Sequence, residues 1–136
     1  MKRLLSGFVL SFILLFIGCG GGASSPVVSS PQLVFSINGT GDSYPSLLST
    51  KETKAFHISR GEWYIETTCD ALEPNRPVSF LVSVFPKDKP VESNNYVSII
   101  SQSTTGTAVN YVHVAGDFYL YIVSVNIKDW SVKVYQ

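Results

Sequence analysis

From Leu33 onward the chain alternates apolar and polar residues with a period of two, and this rhythm excludes most folds. "LVFSI", "KAFHIS", "EWYIETT", "VSFLVSVF", "YVSIIS", "TAVNYVHV", "DFYLYIVSV" and "WSVKVY" are short runs rich in Val, Ile, Phe, Tyr, Trp and Thr. Breaks such as "NGTGD", "SRG", "EPNRP", "PKDKP" and "AGD" separate them. Alternation bounded by turn residues marks half-buried strands, whereas a helix repeats its apolar face every 3.6 residues. No segment carries a convincing helical period. About eight strands in roughly 100 residues indicate an all-β antiparallel sandwich or barrel, jelly-roll-like in type.

Alternation also assigns faces. Phe56, Ile58, Trp63, Ile65, Phe80, Val82, Val84, Val112, Val114, Phe118, Leu120, Ile122, Trp130, Val132 and Val134 are expected inward. His57, Tyr64, Glu66, Tyr111, His113, Tyr119, Tyr121 and Lys133 are expected outward. One phrase occurs twice: "GEWYI" (61–65) returns as "GDFYL" (116–120). Each copy follows a strand ending in His and a β-branched residue, across a short turn. The expectation is two similar hairpins, one in each half of a sandwich, with Gly61 and Gly116 supplying backbone freedom at the reversals.

The first 18 residues stand outside this pattern. Lys2 and Arg3 precede "LLSGFVLSFILLFI" (4–17), 14 uncharged residues. A helix needs roughly 20 residues to cross a bilayer, so the run is too short to span one and reads as an export signal. "LFIGC" (15–19) then resembles the lipobox of bacterial lipoproteins. That resemblance implies cleavage before Cys19, diacylglyceryl and acyl (palmitate-type) chains on Cys19, and a place in the cell envelope. Two or three acyl chains hold a protein firmly where one does so only reversibly. Gly20 after the cysteine points to the outer membrane if the host is Gram-negative.

The segments are therefore a lipoprotein signal peptide (1–18), the lipidated Cys19 with a linker rich in Gly, Ser and Pro (19–32), and the β-sandwich (33–136). A flexible linker of that length spans about 20 Å root-mean-square. Without Lys2 and Arg3 the remainder carries 8 basic against 10 acidic side chains. No basic stripe invites phosphate, which argues against a nucleic-acid partner. With Cys19 lipidated, Cys69 has no partner in the chain; "TTCDALEP" sets no His or cation beside it, so a buried, inert thiol is expected.

The stretch 33–136 resembles small bacterial jelly-roll domains of the pre-peptidase C-terminal kind. The resemblance rests on the twofold glycine–aromatic strand and on "WSVKV" (130–134). It implies an accessory or binding role.

Signals for chemistry are sparse. Gly41-Asp42-Ser43 matches the nucleophile block of the SGNH esterases, but that block belongs to a strand–helix context with a late Asp-x-x-His, and this chain has neither. His57 and His113 lack further ligands at metal spacing, and Asp42, Asp70, Asp117 and Asp129 do not form a dense acidic cluster. Asn38-Gly39-Thr40 fits a glycosylation sequon of no meaning in a bacterial host. No cofactor and no catalysis are expected. Tyr64, Tyr111, Tyr119 and Tyr121, expected on strand faces open to solvent, are the candidates for ligand binding, since tyrosine joins an apolar body to a polar tip. The chain thus reads as a lipid-anchored, non-catalytic binding or scaffolding module contacting the membrane through its lipid and an envelope protein or glycan. A carbohydrate-binding domain using the tyrosine face is the second reading, and a small hydrolase a distant third.

Overall fold

The computed structural model describes residues 30–41 and 48–136. Nine strands form two antiparallel sheets: β1 (Leu33–Thr40), β2 (Leu48–Glu52), β3 (Phe56–Ile58), β4 (Trp63–Ala71), β5 (Ser79–Pro86), β6 (Ser98–Gln102), β7 (Gly106–Val112), β8 (Gly116–Val125) and β9 (Ile127–Tyr135). Sheet A has the order β1-β9-β4-β7. Sheet B has the order β2-β8-β5-β6, with β3 also pairing β8.

β2 and β3 lie along the same edge of β8, β2 opposite Tyr121–Val125 and β3 opposite Gly116–Phe118. Between them Thr53 stays attached: its N–H donates to the Leu120 carbonyl and its hydroxyl accepts from the Leu120 N–H. Counting β2 and β3 as one interrupted edge strand leaves eight strands in jelly-roll connectivity. β2, "LSTKE", is too polar and exposed to announce itself by alternation.

The inner faces follow the expected parity. Ile58, Ile65, Phe80, Val82, Val84, Leu120, Val132 and Val134 are fully buried, and Trp63, Phe118 and Trp130 nearly so. At one end of this core Phe35 stacks on Phe56, Phe56 meets Trp63 edge-on, and Trp63 lies beside Phe118. The indole N–H of Trp63 donates to the Val114 carbonyl at 2.8 Å. Polar groups inside are paired. The Thr67 hydroxyl donates to Gln102 Oε1 at 2.6 Å, and Gln102 Nε2 donates to the Gly106 carbonyl.

Three expectations need correction. Val114 is 41% exposed, because β7 ends at Val112 and the chain has left the sheet. Tyr119 is buried although its parity faces outward: it stacks on Phe85 and donates to the Lys89 carbonyl at 2.9 Å, under the loop after β5. Nor are the repeated phrases hairpins. β3 pairs β8 in sheet B while β4 pairs β7 in sheet A, so each short connection arches from one sheet to the other. A hairpin would send the inward residues of both its strands to one sheet face. Here Phe56 and Trp63 approach the core from opposite sheets.

The repetition is nevertheless a symmetry. Exchanging β3 with β7 and β4 with β8 carries the pair Phe56↔Phe118 onto Val112↔Trp63. Two arches interlock, and each contributes its aromatic residue to the same cluster. The two glycines are not equivalent. Gly116 has φ +147°, a conformation that side chains resist, whereas Gly61 has no such angle and open space where a Cβ would stand.

Candidate functional site: a tyrosine row on sheet A

Parity places Tyr64 outward on β4, Tyr111 outward on β7 and Tyr135 outward on β9. Register then makes them neighbours, since Tyr64 stands opposite Tyr111 on one side and Tyr135 on the other. The rings of Tyr64 and Tyr135 stack at 4.9 Å between centroids, 17° from parallel. Tyr64 and Tyr111 lie 5.6 Å apart. Tyr111, on the edge strand, is 66% exposed. The result is a continuous aromatic row across three strands.

One residue pair further along the strands, Glu66 accepts from Lys133 Nζ at 3.1 Å. That hydrogen bond is the main cause holding the Lys133 ammonium above its ordinary pKa, and the charges of Tyr135 and Glu66 add to it. Beyond it come Thr68, which shares a hydrogen bond with Thr107, and its ladder partner Ser131. The face therefore grades from aromatic to ionic to hydroxylic within three rows. Such a surface can stack on a flat apolar face and satisfy hydroxyls beside it.

An open depression of about 220 Å³ adjoins the row, lined by Tyr64, Tyr111, Tyr135, Arg60, His113 and Gln136, with Pro31 at its margin. Desolvation, with the added influence of Tyr135, Glu66 and Tyr111, raises the Tyr64 phenol above its ordinary pKa of 10.0. Its hydroxyl is thus a neutral donor across the physiological range.

Of the four tyrosines expected to form a face, the structure brings Tyr64 and Tyr111 together. Tyr119 and Tyr121 belong to β8 in the other sheet, Tyr119 covered and Tyr121 half-buried opposite Ser83 and Glu52. Tyr135 was not among the candidates, although its parity with Lys133 was the signal that could have found it.

Other candidate groups are dispersed. His57 pairs with Asp117 at 2.8 Å on the exposed side of β3 and β8, while His113 borders the tyrosine depression. Asp70 and Asp129 face each other across β4 and β9, and Asp117 lies on sheet B. Among the described residues no three His, Cys, Asp or Glu side chains gather as metal ligands. Asp42 and Ser43 of the esterase-like block, and Cys19, lie outside the described residues. Cys69 is fully buried, its thiol 3.7 Å from the Thr104 carbonyl, and burial, with Asp70 adding to it, pushes its pKa up.

No protein-family model matches the chain, and no curated protein matches it.

Proposed function

We propose that the protein is a lipoprotein of the bacterial envelope, anchored through lipid on Cys19, and that its jelly-roll domain is a non-catalytic binding module. The observation that carries the binding reading is the row Tyr111–Tyr64–Tyr135 with its polar neighbours. Aromatic residues on a sheet face are normally satisfied by covering them, as Tyr119 is covered. In this row Tyr111 is exposed and Tyr64 and Tyr135 are half-buried, so the stacked rings present aromatic surface to solvent. The resemblance to pre-peptidase C-terminal domains supports an accessory role. The lipobox residues support the anchor, and Gly20 supports the outer membrane in a Gram-negative host.

A glycan ligand is the second reading, favoured by the grading from tyrosine to Glu66, Lys133 and Thr68. Pyranose rings have an apolar face for stacking and a rim of hydroxyls for such groups. The test is retention of the native protein on immobilised cell-wall glycan, on an oligosaccharide array and on envelope protein extracts. Tyr64→Ala and Tyr111→Ala are expected to abolish retention while the fold survives. Unchanged retention in both variants would remove the tyrosine row from the site. For the anchor, Cys19→Ala is expected to abolish acyl labelling, and an intact mass showing unmodified Cys19 in the native protein would end the lipoprotein reading.

A further inference from the structure

The described chain begins beside the tyrosine depression. Gln32 and Gln136 exchange backbone hydrogen bonds at 2.8 and 2.9 Å, and Leu33 stands opposite Tyr135. Residues 19–29 therefore join the sandwich at one definite end. That end also holds the arches 59–62 and 113–115 and both feet of the loop 87–97.

Exposed apolar side chains concentrate there. Of nine exposed large hydrophobic residues among those described, six are at this end or on its loop: Leu33, Val91, Tyr96, Val97, Tyr111 and Val114. Ile99 and Val109 are within β6 and β7, and Leu48 alone is at the opposite end. A depression of about 520 Å³ opens between Val97 and Val114, floored by Gly116 and Phe118. The surrounding charges nearly cancel: Arg60, Lys87 and Lys89 against Glu62, Asp88, Glu92 and Asp117. The attraction this end offers is thus apolar and aromatic, without net positive charge to seek anionic lipid. Valine side chains flanked by tyrosine suit the boundary between headgroups and acyl chains.

Reach agrees with position. Eleven chain steps separate Cys19 from Ser30. Even fully extended they cover no more than about 40 Å, so an acylated Cys19 ties this end of the sandwich closest to the bilayer.

Resting on the lipidation of Cys19 argued above, we propose that the sandwich docks end-on against the lipid surface that holds its anchor, inserting Val97 and Val114 at the headgroup boundary. The domain is then oriented on the membrane and does not swing freely on its tether. The tyrosine row stands just above the surface, where ligands lying along the membrane would meet it.

The experiment uses the native protein in phosphatidylcholine vesicles whose acyl chains are brominated near the headgroup. Two variants, Val114→Trp and Leu48→Trp, report from opposite ends, each read against the parent's Trp63 and Trp130 emission. Both positions are exposed, so both variants are expected to fold. The emission added by Val114→Trp is expected to be largely lost in brominated vesicles, and that added by Leu48→Trp retained. Intact mass on the same samples reports acylation. If Cys19 is acylated and neither reporter is quenched, or both are quenched equally, the docking proposal is overturned while the anchor stands. If Cys19 is unmodified and Val114→Trp is still selectively quenched, docking stands and the anchor reading falls. Unmodified Cys19 without quenching overturns both.

Discussion

Trp63 and Phe118, the aromatic residues of the repeated phrase, lie 5.4 Å apart between ring centroids at one end of the core, one from each sheet. The repeat is thereby a device for closing the core. Two of the crossings between sheets, β3 to β4 and β7 to β8, each deliver an aromatic side chain to its counterpart.

Removing either partner leaves a cavity shared by both arches. Trp63→Ala and Phe118→Ala are each expected to destabilise the fold by about 3–5 kcal/mol. Tyr64→Ala and Tyr111→Ala, on the open face, should lose about 1 kcal/mol or less. Urea denaturation of the four variants decides the matter. A larger loss from the tyrosine pair would mean that the inward and outward faces are reversed.

Tyr119 separates covered from uncovered tyrosine. Tyr119→Phe keeps the stack on Phe85 but leaves the Lys89 carbonyl without its donor, which should cost about 1 kcal/mol. Tyr119→Ala should cost about 3 kcal/mol or more. It should also speed amide exchange in 87–91, and exchange there that matches the parent protein would show that Tyr119 does not hold the loop.

The two glycines of the repeat predict opposite responses. Gly61→Ala meets open space in an ordinary conformation and should be neutral or stabilising by up to about 1 kcal/mol. Gly116→Ala must adopt φ +147° and should destabilise by about 1–3 kcal/mol. Equal melting temperatures for the two variants would contradict this.

Asn126 is the one non-glycine residue with positive φ among those described, at 54°, and it is buried. Its side chain accepts from the Glu73 N–H and donates to the Glu73, Arg76 and Pro77 carbonyls, so it pins the turn before β5. Asn126→Ala loses both the bonds and the tolerance for that angle, whereas Asn126→Gly loses the bonds alone. The alanine variant should be less stable than the glycine one by about 1 kcal/mol. Equal stability would show that the angle carries no strain.

Cys69 predicts a pH dependence. Its pKa is raised in the fold, so the neutral thiol is favoured there. The contribution is present in full below the unfolded value near 8.5 and is lost as pH rises through the higher folded value. Between pH 8 and pH 10 the parent should lose more stability than Cys69→Ala does. Parallel curves would show that the thiol does not titrate on unfolding.

Much of this was legible in the residues. Alternation alone identifies Ile65, Phe80, Leu120 and Val132 as core, because burial on a sheet face follows parity wherever the strand is regular. It fails at Val114 because the strand ends two residues earlier, and at Tyr119 because a loop folds over the outer face. Parity is a property of one strand, while covering is decided by a distant segment. Pairing is equally invisible to it. Ile58 finds Gly116 and not the residues just beyond its own turn, so a short connection looked like a hairpin although it bridges two sheets. The tyrosine site was half legible, since parity proposes Tyr64 and Tyr111 and extends to Tyr135, but only register sets the three side by side and removes Tyr121.

The mutual bonds between Gln32 and Gln136 make the sandwich between them nearly a closed ring, and this decides where anything can be attached. A tag or fusion at the C-terminus emerges beside the tether, wedged between the domain and whatever the domain rests on. It would report poorly on surface display and could itself lift the protein away. Residues 103–105, between β6 and β7 at the far end, are the place for a reporter. For the same reason, joining Gln136 to Gln32 through a short bridge and reopening the chain at 103–105 should preserve the sandwich while moving its free ends to the opposite pole.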